Sequence, residues 1–581
     1  ERITRYELNN SKDKKIVIFT TLLIEKSPQA LPLGAACIAS SVKNNFLTKD
    51  ICDVKLVSFC KEDSEFIENS LTEDTSAEYI AEKLLKLNPD VVGFSIFVWN
   101  RIILEKVAKI LQSKSIKTIC GGPEVTARPY SFVDFDKIIS GEGESKVVSA
   151  VYELITGKKH RTSEEIQSQL ISKQLTQSEN VLGKRSTLEE GENLKSGTED
   201  LCYLTSPYLD GTLDPAQYGG VLWELARGCP FKCSYCYESK GEKNVRQFPM
   251  ERIEKELDFF AKKKVSQVFV LDPTYNANKK RALDLIDKIA QKTPNTFYYF
   301  EARAEFIDKQ LAKAFTKIPC ALQIGLQSSD ENVLKLVNRP FNKTQFVKNI
   351  NYLNEFGVVF GLDVIYGLPG ETLKGFKESI DFAMTLYPNN LETFCLSVLP
   401  GTDLYDKAKD LKLTFDENPP YHIIQTEKIS PKELKQAEKI SKGCTIFYNN
   451  GRAVPWFNTM CKTLRIKPSA FFEKFFEYIC SEEKFSKLIS MENCKHKEIE
   501  KVQIQFIKKI FTEKNLSKLI PVIVDIVLLN GAISRKIDTG ISEIVELNYP
   551  PEYIDSEYSL DLYFFEKNVK KYKNSFSTEN I

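Results

Sequence analysis

The chain has no charge excess: 80 Lys and Arg against 79 Asp and Glu leave a formal net charge of +1 over 581 residues. That balance excludes the clear basic footprint of a nucleic-acid partner. No apolar stretch reaches the ~18 residues that cross a bilayer, and no basic-then-apolar signal pattern opens the N-terminus. Neither a membrane partner nor export is therefore expected. Histidine is scarce, with only His160, His422 and His496. Fourteen cysteines in a chain of this length, without a signal, read as reduced thiols and a cluster in a cytoplasmic protein. A length prior of ~150 residues per domain suggests three or four domains.

What is present centres on one loop, Arg-Gly-Cys-Pro-Phe-Lys-Cys-Ser-Tyr-Cys-Tyr-Glu over 227–238. Cys229, Cys233 and Cys236 are spaced C-x3-C-x2-C after an apolar run at 221–226. A structural zinc wants a fourth ligand and usually paired cysteines, yet the next cysteine is Cys320. A cubane has four irons held by thiolates, so three cysteines leave one iron open to a small molecule. With Tyr235 just before the last cysteine, the loop resembles that of the radical S-adenosylmethionine (SAM) superfamily. The resemblance implies a [4Fe-4S] cluster on Cys229, Cys233 and Cys236. It also implies SAM chelated at the open iron and its reductive cleavage to a 5′-deoxyadenosyl radical.

Upstream, residues 15–156 alternate short β-rich runs (16–20, 54–59, 91–96, 118–120 and 137–140) with amphipathic helices such as 77–87. That alternation predicts a doubly wound parallel sheet that binds ligands beyond its strand C-termini. The loops there carry Pro-Leu-Gly34, Asp-Val-Val-Gly-Phe-Ser95, Gly121-Gly122-Pro123-Glu124 and Gly141-Glu142-Gly143-Glu144. In this order they resemble the cobalamin-binding domain that precedes the barrel in many radical SAM proteins. The resemblance assigns Gly34, Ser95, Gly121, Gly122, Pro123, Glu124, Gly141, Glu142 and Gly143 to cobalamin. No histidine lies in this segment and no D-x-H-x-x-G exists. The lower face of the corrin would thus be open, or covered by an apolar or weakly coordinating side chain. A Rossmann remnant that only packs on the barrel is the competing reading.

Residues 157–205 are polar and read as a linker with a weak helix near 164–175. Six βα units follow, with strands at 221–226, 267–271, 297–302, 321–326, 361–366 and 391–398. They predict a partial (β/α)6 barrel with its chemistry at the strand C-termini. Polar residues fall at those ends: Asp272, Glu301 with Arg303, Gln327, and the Gly367-Leu-Pro-Gly370 turn. By the resemblance Tyr235, Asp272, Glu301, Arg303, Gln327, Gly367 and Gly370 bind SAM. Read without it, Asp272 caps a turn, Glu301 and Arg303 form an ion pair, and 367–370 is a strand-to-helix turn.

Residues 426–581 read as a Phe- and Lys-rich helical domain, able to cap the barrel mouth, with a core stripe at Phe471, Phe472, Phe475, Phe476 and Ile479. The last dozen residues are expected to fray. The expected class is α/β: a Rossmann-like (flavodoxin-like) cobalamin domain (1–156), a linker (157–205), a radical SAM barrel (206–425) and a helical C-terminal domain (426–581). The implied activity is methylation of an unactivated carbon of a small-molecule or peptide substrate via methylcobalamin. An electron donor such as flavodoxin or ferredoxin and a monomeric state are expected. A non-methylating rearrangement or oxidation, and a cluster or cobalamin sensor, stay open.

Overall fold

The computed structural model describes residues 14–68, 72–159, 199–238, 245–490 and 494–580. Five parallel strands form the N-terminal sheet: β1 (Lys15–Leu23), β2 (Cys52–Cys60), β3 (Val91–Ser95), β4 (Lys117–Gly121) and β5 (Lys137–Ile138), in the order β2-β1-β3-β4-β5. This is the flavodoxin-like order, in which the crevice lies between β1 and β3. One face of the sheet packs Ala77, Ile80, Leu84, Leu104, Val107 and Leu111 from two helices. The other face packs Ala39, Val42, Val147, Val148 and Val151. Residues buried on both faces explain why these strands read as short continuous apolar runs.

The helix Glu144–Thr156 ends on Gly157 in the left-handed conformation. The helix expected near 164–175, and His160, lie outside the described residues. From Glu199 the chain is packed: Glu199 accepts from Ser145 N at 2.9 Å and Ser145 Oγ at 2.6 Å, and Leu201 is buried.

The second sheet holds β6 (Val221–Trp223), then β9 (Gln267–Val270), β10 (Phe297–Ala302), β11 (Cys320–Gln327), β12 (Val359–Tyr366) and β13 (Asn390–Cys395), all parallel and in sequence order. Between β6 and β9, a two-residue ladder pairs β7 (Ala226–Arg227) with β8 (Arg246–Gln247). Alternation sets the layers. Tyr298, Phe300 and Ala302 are buried beneath the helices, while Tyr299 and Glu301 face the interior of the sheet's curve with Phe269, Gln323 and Asp363.

The C-terminal region covers an edge of this sheet. Asn449, in a π-helical turn at Thr445–Asn450, accepts from Leu391 N at 3.0 Å and donates to Leu391 O at 3.0 Å. Its side chain thereby satisfies a backbone pair that an edge strand would leave exposed. The Phe471, Phe472, Phe475, Phe476 and Ile479 stripe is buried in the same core as the barrel, as the helical periodicity predicts.

Two expectations are corrected. The segment 574–578 does not fray: β15 (Asn574–Ser577) pairs antiparallel with β14 (Ile544–Leu547), and Thr578 is fully buried. Backbone pairing holds a polar segment that side-chain hydrophobicity would not. Among the described residues, Ser517–Thr539 does have the length and mean hydropathy, 1.6, to cross a membrane. Half of that window is buried within the protein. Its Asp525 accepts from Asn548 Nδ2 at 2.8 Å and Tyr549 N at 2.9 Å, and it packs on helix His496–Glu513.

Candidate active site at the junction of the two sheets

The three-cysteine loop follows β7 at the C-terminal rim of the second sheet and is stapled there by backbone. Ser234 N donates to Val337 O at 3.0 Å, Leu404 N to Ser234 O at 2.8 Å, and Asn338 Nδ2 to Lys232 O at 2.7 Å. Cys229 Sγ lies 3.8 Å from Thr274 Oγ1, and Cys233 Sγ lies 3.9 Å from a terminal nitrogen of Arg339. Among the described residues no three His, Cys, Asp or Glu side chains close on one ion. A cluster takes one thiolate per iron, so its ligands are held apart.

Polar groups left without partners surround this loop. Ser234 Oγ, Gln327 Oε1 and Arg339 Nε are buried and have no protein partner. Most buried polar atoms are paired, so orphans grouped at one rim mark a place for a polar ligand. Gln327 also sits at φ +69°, at an irregularity in the β11–β12 register. Such a conformation costs of order 1–3 kcal/mol in a non-glycine residue. Arg339, which sequence reasoning missed, also reaches Tyr235 Oη at 3.5 Å and Gly325 O. Its place after a short helix in Val-Asn-Arg-Pro carries no local signal. Gly325 makes room for it: a Cβ there would lie 2.4 Å from Gln327 Nε2 and 3.2 Å from the Arg339 guanidinium.

Two carboxyls stand inside the curve of the sheet. Desolvation within the curve, reinforced by Asp363 and Glu238, pushes Glu301 up to about 7. Burial pushes Asp363 up to about 6 against a hydrogen bond from Gln323. Gln323 and Asp363 also went unassigned in the sequence, although a polar residue on the alternate face of an apolar strand is a usable signal.

Other expected residues find protein partners. Arg303 pairs with Glu305 at 2.6 Å rather than with Glu301, and its guanidinium lies 3.9 Å from the Phe231 ring. The expected Glu301–Arg303 pair is not formed, because Arg303 has left the strand and turned toward the cluster loop. Asp272 Oδ1 accepts from Leu225 N at 2.8 Å and Ala226 N at 3.0 Å, closing the end of the first barrel strand. Burial pushes its carboxyl up to about 7 despite those amides. Gly367 and Gly370 have φ of +87° and +79°, where a Cβ would meet Ile423 and Leu336 at 2.6 Å. Glu371 ties this turn by accepting from Gly367 N at 3.0 Å.

A cavity of about 740 Å³ opens beyond the C-terminal ends of β1, β3 and β4. Gly34, Ser95, Gly121, Gly122, Pro123, Gly141, Glu142 and Gly143 line it, as do Leu222, Glu224, Arg227 and Leu271 of the barrel. Gly122 has φ +108°, and a Cβ there would fall 2.6 Å from Ile96 O, so only glycine permits the close approach. Glu124 does not line the cavity. It accepts from Tyr421 Oη at 2.7 Å and Arg101 at 3.3 Å, riveting the two sheets together. Phe97 and Trp99 stack at 4.5 Å on the cavity wall, and among the described residues no histidine lines it. The walls are mostly apolar and glycine-lined, with carboxylates at one end, which suits a large amide-bearing ring. The orphaned atoms at the cluster loop suit an amino-acid-like ligand.

Comparison with known proteins agrees with this geometry. Residues 223–383 match the family model of the Radical SAM superfamily, 22–151 match the B12 binding domain, and 409–526 match a protein of unknown function (DUF4080). The chain is 26% identical over 389 residues to the uncharacterized methyltransferase PH0819 of Pyrococcus horikoshii, covering 65% of this chain and 78% of that one. It is 25% identical over 362 residues to the cobalamin-dependent radical SAM methyltransferase TokK of Streptomyces tokunonensis, covering 56% of this chain. That match spans 49% of TokK, about half its length. The fold is similar to that of the cobalamin-dependent SAM radical enzyme OxsB with aqua-cobalamin bound, at TM-score 0.51 and 13% identity over 96% of this chain and 85% of that one. Apo OxsB aligns at TM-score 0.54 and 14% identity, over 87% and 80% of the two chains. The chain belongs to the cobalamin-binding radical SAM enzymes, with a [4Fe-4S] cluster, S-adenosylmethionine and cobalamin as its cofactors.

Proposed function

We propose that this enzyme methylates a carbon of a small-molecule or peptide substrate. One observation carries the reading: the glycine-lined cavity of the first sheet opens directly on the rim that bears the three-cysteine loop, with Leu222, Glu224, Arg227 and Leu271 as shared wall. Cys229, Cys233 and Cys236 would hold the cluster. Gly34, Ser95, Gly121, Gly122, Pro123, Gly141, Glu142 and Gly143 would hold the corrin. Bound there, cluster and SAM supply a 5′-deoxyadenosyl radical and the corrin supplies a methyl group.

The chain's own residues prepare that chemistry. Arg339 places Nη1 beside Cys233 and has an Nε without a partner, to which a carboxylate can make a charge-assisted hydrogen bond. Glu301, Asp363 and Gln327 offer acceptors within the barrel for ammonium and hydroxyl groups. Apolar walls, including the Phe97–Trp99 stack, would keep water away from a radical, and the described residues that would face the corrin include no histidine. An electron from a flavodoxin or ferredoxin, and a monomeric state, complete the proposal.

The test is anaerobic reconstitution with a reductant and SAM carrying a deuterated methyl group. Release of 5′-deoxyadenosine, with label in both the bound corrin and the product, is expected. Deoxyadenosine with an unlabelled product would replace methyl transfer by a rearrangement or oxidation. Its absence from a cluster-loaded, SAM-bound protein would point to a sensor.

A further inference from the structure

Arg227 belongs at once to the cluster loop and to the cavity of the other sheet. It stands two residues before Cys229, on β7, and it lines the cavity. Three carboxylates converge on it. Glu144 of the Gly-Glu-Gly-Glu loop accepts at 2.6 Å, Glu224 at 2.8 Å, and Glu142 stands 3.6 Å away. Arg246, paired with Arg227 across the β7–β8 ladder, donates to both carboxylate oxygens of Glu142. All these side chains are largely buried, so their interactions are poorly screened, and burial pushes Glu224 up even beside Arg227. Each carboxylate shares the guanidinium with another, so Arg227 keeps a partner when one of them is removed. The guanidinium therefore keeps both loops in register.

We infer that Arg227 is a positioning residue that couples cobalamin binding to assembly of the cluster: Glu142 and Glu144 on the cavity loop and Cys229 on the cluster loop are ordered through one guanidinium. The inference rests on the cavity being the cobalamin site. Order imposed on the Gly-Glu-Gly-Glu loop by a corrin would reach Cys229 through one ion pair and two peptide bonds. By linkage, a cluster-loaded loop must favour the corrin by the same factor. The fork of Arg227 is needed for this, since a lysine reaches only one of the three carboxylates in a defined direction.

The experiment is an anaerobic absorbance titration of the full chain with hydroxocobalamin, with the cluster reconstituted and with it absent. The native chain should bind at least ~5-fold more tightly with the cluster present, the lower end of ordinary coupling. In Arg227→Lys and in Glu144→Gln the ratio should fall to about unity, with iron content and thermal unfolding close to native. Glu144→Gln leaves Arg227 with Glu224, and carries the test alone should Arg227→Lys not fold. Tyr405→Phe breaks a different inter-sheet bond, Arg128 to Tyr405 Oη at 2.8 Å, and should keep the native ratio. A native ratio of unity, native coupling in the Arg227 and Glu144 variants, or an equal collapse in Tyr405→Phe would overturn the inference. If the native chain binds no hydroxocobalamin in either state, the cofactor placement itself has failed.

Discussion

Arg339 holds a guanidinium nitrogen 3.9 Å from Cys233 Sγ while its Nε is buried without a partner. The rest of the fork is spent on Tyr235 Oη and Gly325 O, so the barrel rim carries one directed, unsatisfied donor beside the cluster loop. Leaving a buried donor unmade costs ~1–3 kcal/mol, which a bound carboxylate would return.

Arg339→Ala should therefore weaken SAM binding at least ~10-fold, about 1.4 kcal/mol, in equilibrium dialysis with the cluster-loaded protein. Arg339→Lys should recover part of the loss, because a lysine keeps the charge without the fork. Native SAM affinity in the alanine variant would remove Arg339 from the site.

Glu371 gives a pH dependence. Burial pushes its carboxyl up to about 8, against the amide of Gly367, and its Oε1 has no partner. A raised folded-state value means that its stabilising contribution is complete below the unfolded value of ~4.3 and is lost as pH climbs toward 8. Cofactor-free protein should then be less stable to urea at pH 8.5 than at pH 6. Glu371→Gln should stabilise the chain at both pH values, and by on the order of 1–3 kcal/mol more at pH 8.5 than at pH 6. Equal urea midpoints for the native chain at both pH values would contradict this.

Two glycines separate folding from binding. Gly122→Ala forces a Cβ to within 2.6 Å of Ile96 O at φ +108°, and should cost ~2 kcal/mol or more in unfolding free energy. Gly34→Ala meets nothing closer than Ser95 Oγ at 3.9 Å. It should fold like the native chain yet bind hydroxocobalamin more weakly, because its methyl group enters the cavity. Unfolding curves read with cobalamin absorbance distinguish the two.

The C-terminal pairing is testable by truncation. Ending the chain after Lys573 removes the strand Asn574–Ser577 and the buried Thr578, whose hydroxyl accepts from Glu543 N at 2.9 Å. Thermal unfolding should shift down by several degrees, an effect a frayed tail would not produce.

Much of the architecture was readable along the chain. The C-x3-C-x2-C loop, the glycine loops and the strands of both sheets follow from local pattern, since period and turn chemistry act over a few residues. All the cavity residues assigned in advance line it except Glu124, which the fold uses to join Tyr421 and Arg101. Asp272 is likewise used by the fold, on amides nearly fifty positions earlier. Gln323, Asp363, Arg339 and Arg227 were not assigned. A strand-face glutamine gives some warning, but an arginine in a loop gives none until the fold sets it beside a thiolate or three carboxylates.

The amino-acid order alone thus pointed to the cofactor chemistry, through a three-thiolate spacing and glycine loops that resemble those of cobalamin-binding radical SAM proteins, because such motifs are properties of short-range sequence. Tertiary structure decided who partners whom. Arg303 went to Glu305, Glu124 to Tyr421, and a polar C-terminal strand to Ile544–Leu547. Those choices depend on burial and on distances between residues far apart in the chain. Electrostatic and hydrogen-bond energies are set by that surrounding, not by the identity of the side chain.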